Sequence, residues 1–149
     1  VVWALISLGV GPQEEIPFED FFKKNPRSLT SFEQWLKKLR EHFQLPSLVR
    51  DQKLLDKSAE TMGENNSHLH DRRLRDQAQY KIRDLYHLLG DNKVEGSSLR
   101  KMARLLWLSP SHRRLLFNKE ASHWGLHLKP LSGRQLLVFV LAKLKKKAS

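Results

Sequence analysis

The chain has 149 residues, 40% of them apolar, and carries 27 Lys and Arg against 16 Asp and Glu, a formal charge of +11. That is one ordinary domain with enough apolar material for a core, which excludes wholesale disorder and leaves little room for two independent cores. The absence of cysteine excludes disulfide scaffolds, cysteine-based zinc sites, iron–sulfur clusters and thiol nucleophiles, while the basic surplus points to an anionic partner: nucleic acid, a lipid surface or a polyanionic glycan.

The opening run VVWALISLGV is apolar or small and stops at Gly11-Pro12. It is too short for the roughly 20 residues of a membrane-spanning helix. Three readings stand: the start of a buried element, the core of a signal peptide, or an apolar arm that enters a membrane. On the last reading Val1, Val2, Trp3, Leu5 and Ile6 are membrane-contact candidates, with Trp3 suited to the interface. An acidic, proline-punctuated linker follows, tethered by Phe18, Phe21 and Phe22. Residues 1–22 hold Glu14, Glu15, Glu19 and Asp20 and no Lys or Arg, so the rest of the chain holds every basic residue. The organisation expected is an arm and linker over 1–30 and a basic helical bundle over 31–149.

Thr30 and Glu33 read as a capping box opening a helix whose stripe is Phe32, Trp35, Leu36, Leu39 and Phe43, ended by Pro46. Ser47 caps a second helix through Leu48, Gln52, Leu55, Ala59 and Met62, with Gly63 at its end. The triplet Asn65-Asn66-Ser67 is a glycosylation acceptor in the turn that follows. A third helix spans 68–89 on the stripe Leu74, Ala78, Ile82, Leu85 and Leu89. Its LxxLL sequence, Leu85 to Leu89, belongs to that core stripe, and its flanks carry Arg72, Arg73 and Arg75.

A fourth helix covers 98–108 with Leu99, Met102, Ala103 and Leu106 inward. Ser109-Pro110 opens a short fifth one carrying His112, Arg113, Arg114 and Phe117. The stretch ASHWGLHLKP reads as irregular. Ser132 opens a last helix in which residues 136–142 are apolar all round, so its centre is buried on every side or faces lipid. Leu137, Phe139 and Val140 are its membrane-contact candidates. The fold class expected is therefore all-α, a single bundle of five or six helices with an apolar N-terminal arm.

No Walker-type glycine loop and no GxSxG elbow is present. His68 with His70, and His123 with His127, are the close histidine pairs; a zinc site would also want a carboxylate or a third histidine nearby, and Gly125 stands against a helix that would put the second pair on one face, so ordinary surface or core histidines are expected. Asp71, Asp76 and Asp84 read as charge pairs with neighbouring Arg and Lys rather than as a catalytic dyad. No enzyme, metal or cofactor is expected. Binding is expected from the cations Arg72, Arg73, Arg75, Arg100, Lys101, Arg104, Arg113, Arg114, Lys143, Lys145, Lys146 and Lys147. From residue 99 onward twelve basic residues face one acid, Glu120.

Gln34-Trp35-Leu36-Lys37, Asp51-Gln52-Lys53-Leu54-Leu55, Arg72-Arg73 ahead of Leu89-Gly90, and Val94 and Gly96 before Leu99 stand in an order that resembles the abalone sperm acrosomal proteins, lysin and its eighteen-kilodalton fertilization paralogue. The resemblance covers about residues 33–118; the first and last thirty residues depart from the family pattern. It implies a secreted, acrosomal, non-enzymatic, all-helical protein that acts in fertilization on an egg-coat glycoprotein or a membrane. The apolar arm, the greasy last helix and the lysine tail favour the membrane-perturbing member of that pair. The expectation is a secreted cationic protein binding and perturbing an anionic membrane or egg-envelope surface, alone or as a homodimer. The alternative is an RNA-binding component of a ribonucleoprotein such as an organellar ribosome, mitochondrial or nuclear in location, binding through phosphate contacts and stacking on Tyr80, Tyr86, Trp107 and Trp124.

Overall fold

The computed structural model describes residues 16–24, 28–65 and 82–145. In chain order it contains α1 (Phe21–Lys24), α2 (Leu29–His42), β1 (Val49–Arg50), α3 (Leu55–Asn65), β2 (Tyr86–Gly96), α4 (Leu99–Leu108), α5 (Pro110–Leu116), β3 (His123–Leu131) and β4 (Arg134–Leu144). The sheet order is β1-β3-β4-β2, with β1 parallel to β3 and the other pairs antiparallel. Helices α1, α2, α4 and α5 cover one face; α3 and a helical turn at 82–85 cover the other. The fold is thus α/β in three layers. The all-α bundle expected from the sequence is not what this chain forms, nor is the all-helical fold implied by the resemblance to the abalone proteins.

The reason lies in β4. It is a central strand with helices on both faces. Leu137, Phe139 and Leu141 point into the core beneath α2 and α4, while Val138, Val140 and Ala142 point to α3, and all six are fully buried. Such a strand needs an apolar residue at every position, so its sequence carries the same all-round apolar pattern as a buried helix. Leu137, Phe139 and Val140 are therefore core residues, not a lipid-facing rod.

The segment read as irregular is β3. Its residues Trp124, Leu126 and Leu128 alternate with His123, Gly125 and His127, and Ser132-Gly133 turns the chain into β4, with Gly133 at φ +71°. The helix expected to run to residue 89 also gives way to strand. Residues 86–96 pair with β4 across an irregularity between Leu88 and Gly90, so the LxxLL leucines do not lie on one helix. Val1, Val2, Trp3, Leu5, Ile6, Arg72, Arg73, Arg75, Lys146 and Lys147 lie outside the described residues, as do His68, His70 and the Asn65 side chain.

The first, fourth and fifth expected helices form as α2, α4 and α5. Ser28 caps α2, its Oγ accepting from Thr30 N–H at 3.2 Å, and Glu33 binds Arg50 instead of closing a box with Thr30. Ser98 caps α4 and Pro110 opens α5. The second helix starts late, because Val49 and Arg50 first join the sheet. Asp51 then caps α3 by accepting Leu54 N–H at 2.9 Å. Gly125 sets how closely α3 lies on β3: a Cβ there would stand 2.1 Å from Leu55 C and 2.4 Å from Asp56 N. Ile16 and Phe22 are already buried, and Trp35 Nε1 donates to Pro17 O at 2.8 Å, so the core begins within the segment read as linker. Among the described residues no helix is long and apolar enough to cross a membrane.

Candidate anionic-surface interface

Helix α2 ends in a Schellman arrangement. Leu45 N–H donates to Arg40 O at 2.8 Å and Gln44 N–H to Glu41 O at 3.0 Å, with Gln44 at φ +58°. Glycine usually holds this left-handed position, and a side chain there costs about 1 kcal/mol. The turn is locked by Arg40, which is 1% exposed. Its Nε and Nη2 donate to Pro46 O at 3.1 and 2.9 Å, and its Nη1 donates to Leu116 O at 2.9 Å and Asn118 O at 3.0 Å. Burial pulls the Arg40 pKa down. These charge-assisted bonds tie the end of α2 to the end of α5.

The tie assembles an aromatic ledge. Phe43 lies edge-on to Phe117 at 4.9 Å between centroids and 6.4 Å from Trp107; Trp107 and Phe117 meet at 5.7 Å. His42 packs edge-on against Phe43 at 5.0 Å and Phe18 against His42 at 5.4 Å. Phe18 sits at φ +59°, unusual for so bulky a residue. Phe43 remains 47% exposed and Trp107 and Phe117 are half-buried. The Arg113 guanidinium lies 5.4 Å over the Trp107 ring, and Arg114 beside it is exposed. The ledge therefore joins apolar rings and a stacked arginine, with an exposed second cation next in sequence on α5.

The other expected cations are spread more widely. Lys101 and Lys143 are exposed. Arg100 and Arg104 both donate from Nε to Glu19 Oε1, at 2.8 and 2.5 Å. Glu19 is 3% exposed. Burial pushes its pKa up, but the hydrogen bonds and charges of Arg104 and Arg100 outweigh this and hold it below the ordinary carboxylate value. Lys145 donates to Arg83 O at the far end of the sheet. Arg113 is thus the expected cation that the fold stacks on the aromatic cluster, and Arg114 follows it, exposed, on α5.

The described histidines do not gather into a site. His123 and His127 lie four residues apart on an extended strand, roughly 13 Å, too far to chelate one ion. Among the described residues no group of three or more His, Cys, Asp or Glu could hold a metal. One polar pair escaped the sequence reading. Asn92, buried on β2, donates from Nδ2 to His112 O at 3.2 Å, and its Oδ1 lies 2.8 Å from His112 Nδ1. The amide orientation makes Nδ1 the protonated nitrogen and leaves the lone pair on Nε2 in the neutral ring. No local pattern announces this pair, because it forms across two elements.

No family model matches the chain, and no curated protein matches it. Solved structures with a related arrangement include an outer surface protein of Borrelia burgdorferi, 22% identical with a TM-score of 0.63, the match covering 83% of this chain and 96% of that one. Another is an extracellular protein of Bacillus anthracis that contains an SCP domain, 19% identical with a TM-score of 0.44 over 74% of this chain and 39% of that chain. At such identity the likeness to the Borrelia burgdorferi protein is one of fold: this three-layer α/β arrangement is a known protein architecture.

Proposed function

We propose that this protein is an extracellular, non-enzymatic binding protein that docks on anionic lipid surfaces through the corner formed by α2, α4 and α5. The observation that carries the reading is the partly exposed cluster of Phe43, Trp107 and Phe117 with Arg113 stacked on it and Arg114 alongside. Amphipathic rings favour the headgroup region of a bilayer, and each Lys or Arg near an anionic leaflet adds about 1 kcal/mol. Stable attachment generally needs both an apolar and a charged contribution. The chain's +11 charge supports attraction to such a surface. That the Borrelia burgdorferi fold relative is an outer surface protein supports the extracellular placement.

Cosedimentation with phosphatidylcholine vesicles, with and without phosphatidylserine, tests the reading. Binding to the acidic vesicles, weakened by salt and accompanied by a fluorescence change that Trp107→Phe abolishes, is the expected result. Equal binding to neutral vesicles, or none to acidic ones at micromolar protein, refutes it. A gel shift with unrelated RNAs, steeply salt-dependent and without vesicle binding, would move the function to nucleic acid.

A further inference from the structure

We infer that the cleft between α4 and the β3–β4 turn binds a single-chain anionic amphiphile, its chain against Leu105 and Leu108 and its headgroup at Lys101, Arg104 and Arg134. The cleft has a volume of about 430 Å³, within the range of small-molecule sites. Its floor is aliphatic. Helix α4 turns Leu99, Met102, Ala103 and Leu106 into the core, which leaves Leu105 on the opposite face at 49% exposure with Leu108 one turn on. A large aliphatic pair on the outer face of a helix serves no packing role toward the core.

The rim is cationic. Lys101 and Arg104 stand one turn before the leucines on the same face of α4, and Arg134 closes the cleft from the start of β4. Among the described residues Glu95 is the one carboxylate lining the cleft, 3.8 Å from Arg134. Arg104 is oriented by its bond to buried Glu19. Gly96 packs so closely on Met102 that a Cβ would stand 2.7 Å from its Cγ, while a Cβ on Gly133 would meet nothing within 4 Å. An aliphatic floor with positive charge at one end matches a ligand that has a chain and an anionic head. A free phosphate would leave the leucines in water, and an uncharged chain would gain nothing from the positive field of Lys101, Arg104 and Arg134.

This site shares no residue with the aromatic ledge, so its failure and that of the membrane reading are separable. The test is displacement of cis-parinaric acid from the intact protein, below the critical micelle concentration, by oleate, lysophosphatidate, oleyl alcohol or inorganic phosphate. Oleate and lysophosphatidate should displace the probe, oleyl alcohol should be weaker by about tenfold or more, and phosphate should be inert. Leu105→Asn and Lys101→Glu, both at exposed positions, should each weaken probe binding by at least about fivefold, while Phe43→Ser leaves it unchanged. Equal displacement by the alcohol, or unchanged binding in both cleft variants with circular dichroism intact, overturns the assignment. Displacement by phosphate alone would reduce the site to an anion site and overturn it as well.

Discussion

Replacing Phe43 with serine separates the apolar part of surface binding from the electrostatic part. Phe43 is 47% exposed as the C-cap of α2, so its removal leaves the buried stripe of that helix untouched. An aromatic side chain offers roughly 200 Å². About 95 Å² would then leave water on full insertion, worth about 2.4 kcal/mol at about 25 cal/mol/Å². That corresponds to about fiftyfold in partitioning, and a ring inserted only part-way loses less, so the expected loss lies between about fivefold and fiftyfold. The loss should be the same at low and high salt. Arg114→Glu should show the opposite signature, a loss of about tenfold or more at low salt that fades as salt screens it. Vesicle cosedimentation at two ionic strengths, with circular dichroism to confirm folding, reads both. If Phe43→Ser binds within about twofold of the parent chain at both salts, the ledge does not contact the surface.

Three further outcomes follow from the fold. Gly125→Ala should destabilise by more than about 3 kcal/mol in urea unfolding, because the new Cβ meets the backbone of Leu55 and Asp56, and moving α3 away breaks the Leu126 N–H to Asp56 Oδ1 bond of 2.9 Å. Arg40→Met should cost about 3 kcal/mol by stranding the carbonyls of Pro46, Leu116 and Asn118, and should weaken vesicle binding as the ledge loosens; Arg40→Lys restores only part, since an ammonium lacks the fork. Glu19 has a folded pKa below its ordinary 4.5, so its contribution is full above that value and is lost as pH falls through the lower folded one. The melting temperature should therefore drop in acid below about pH 4.5, and Glu19→Gln should flatten that step.

What the sequence made legible were elements defined by their own residues. The stripe of Phe32, Trp35, Leu36 and Leu39, the helix start at 98 and the proline at 110 each act within a few residues, and α2, α4 and α5 formed as expected, although Phe43, read as part of the same stripe, is the half-exposed C-cap of α2. The sheet was illegible because its patterns depend on what lies on both sides. In β4 the core on each face erases the alternation that marks a half-buried strand. In β2 the irregularity between Leu88 and Gly90 breaks the period of two, so the leucines before it align with a helical stripe instead. Signals that favour strand were nonetheless present: Trp124, Leu126 and Leu128 at every second position, a Ser-Gly turn, then a short run rich in Val and Phe. The ledge was half legible. Arg113 and Arg114 stood out as charges, but Phe43 reaches Trp107 and Phe117 only because Gln44 adopts the left-handed turn and buried Arg40 ties two loops together.

That distinction changes what the +11 charge means. Arg40 is satisfied by carbonyls, Arg50 by Asp56 and Glu33, and Arg100 and Arg104 by a buried carboxylate. These guanidinium groups hold elements together: α2 to α5, β1 to α3, and the segment around Glu19 to α4. Their field still reaches an approaching anionic surface over the Debye length, yet the particular N–H groups that make these bonds, the Nε of Arg100 and Arg104 among them, are engaged inside the fold. A formal count therefore overstates the contacts available at the surface and understates the share left to apolar groups. The surplus of apolar residues on α4 becomes intelligible in that light. Four of its side chains fill the core, and Leu105, Trp107 and Leu108 lie outside that stripe, partly in water. Exposed apolar surface of this kind, with Arg113 and Arg114 following it in the chain and Lys101 and Arg104 one turn before it on α4, is left over by folding, and it is where the proposed binding would act.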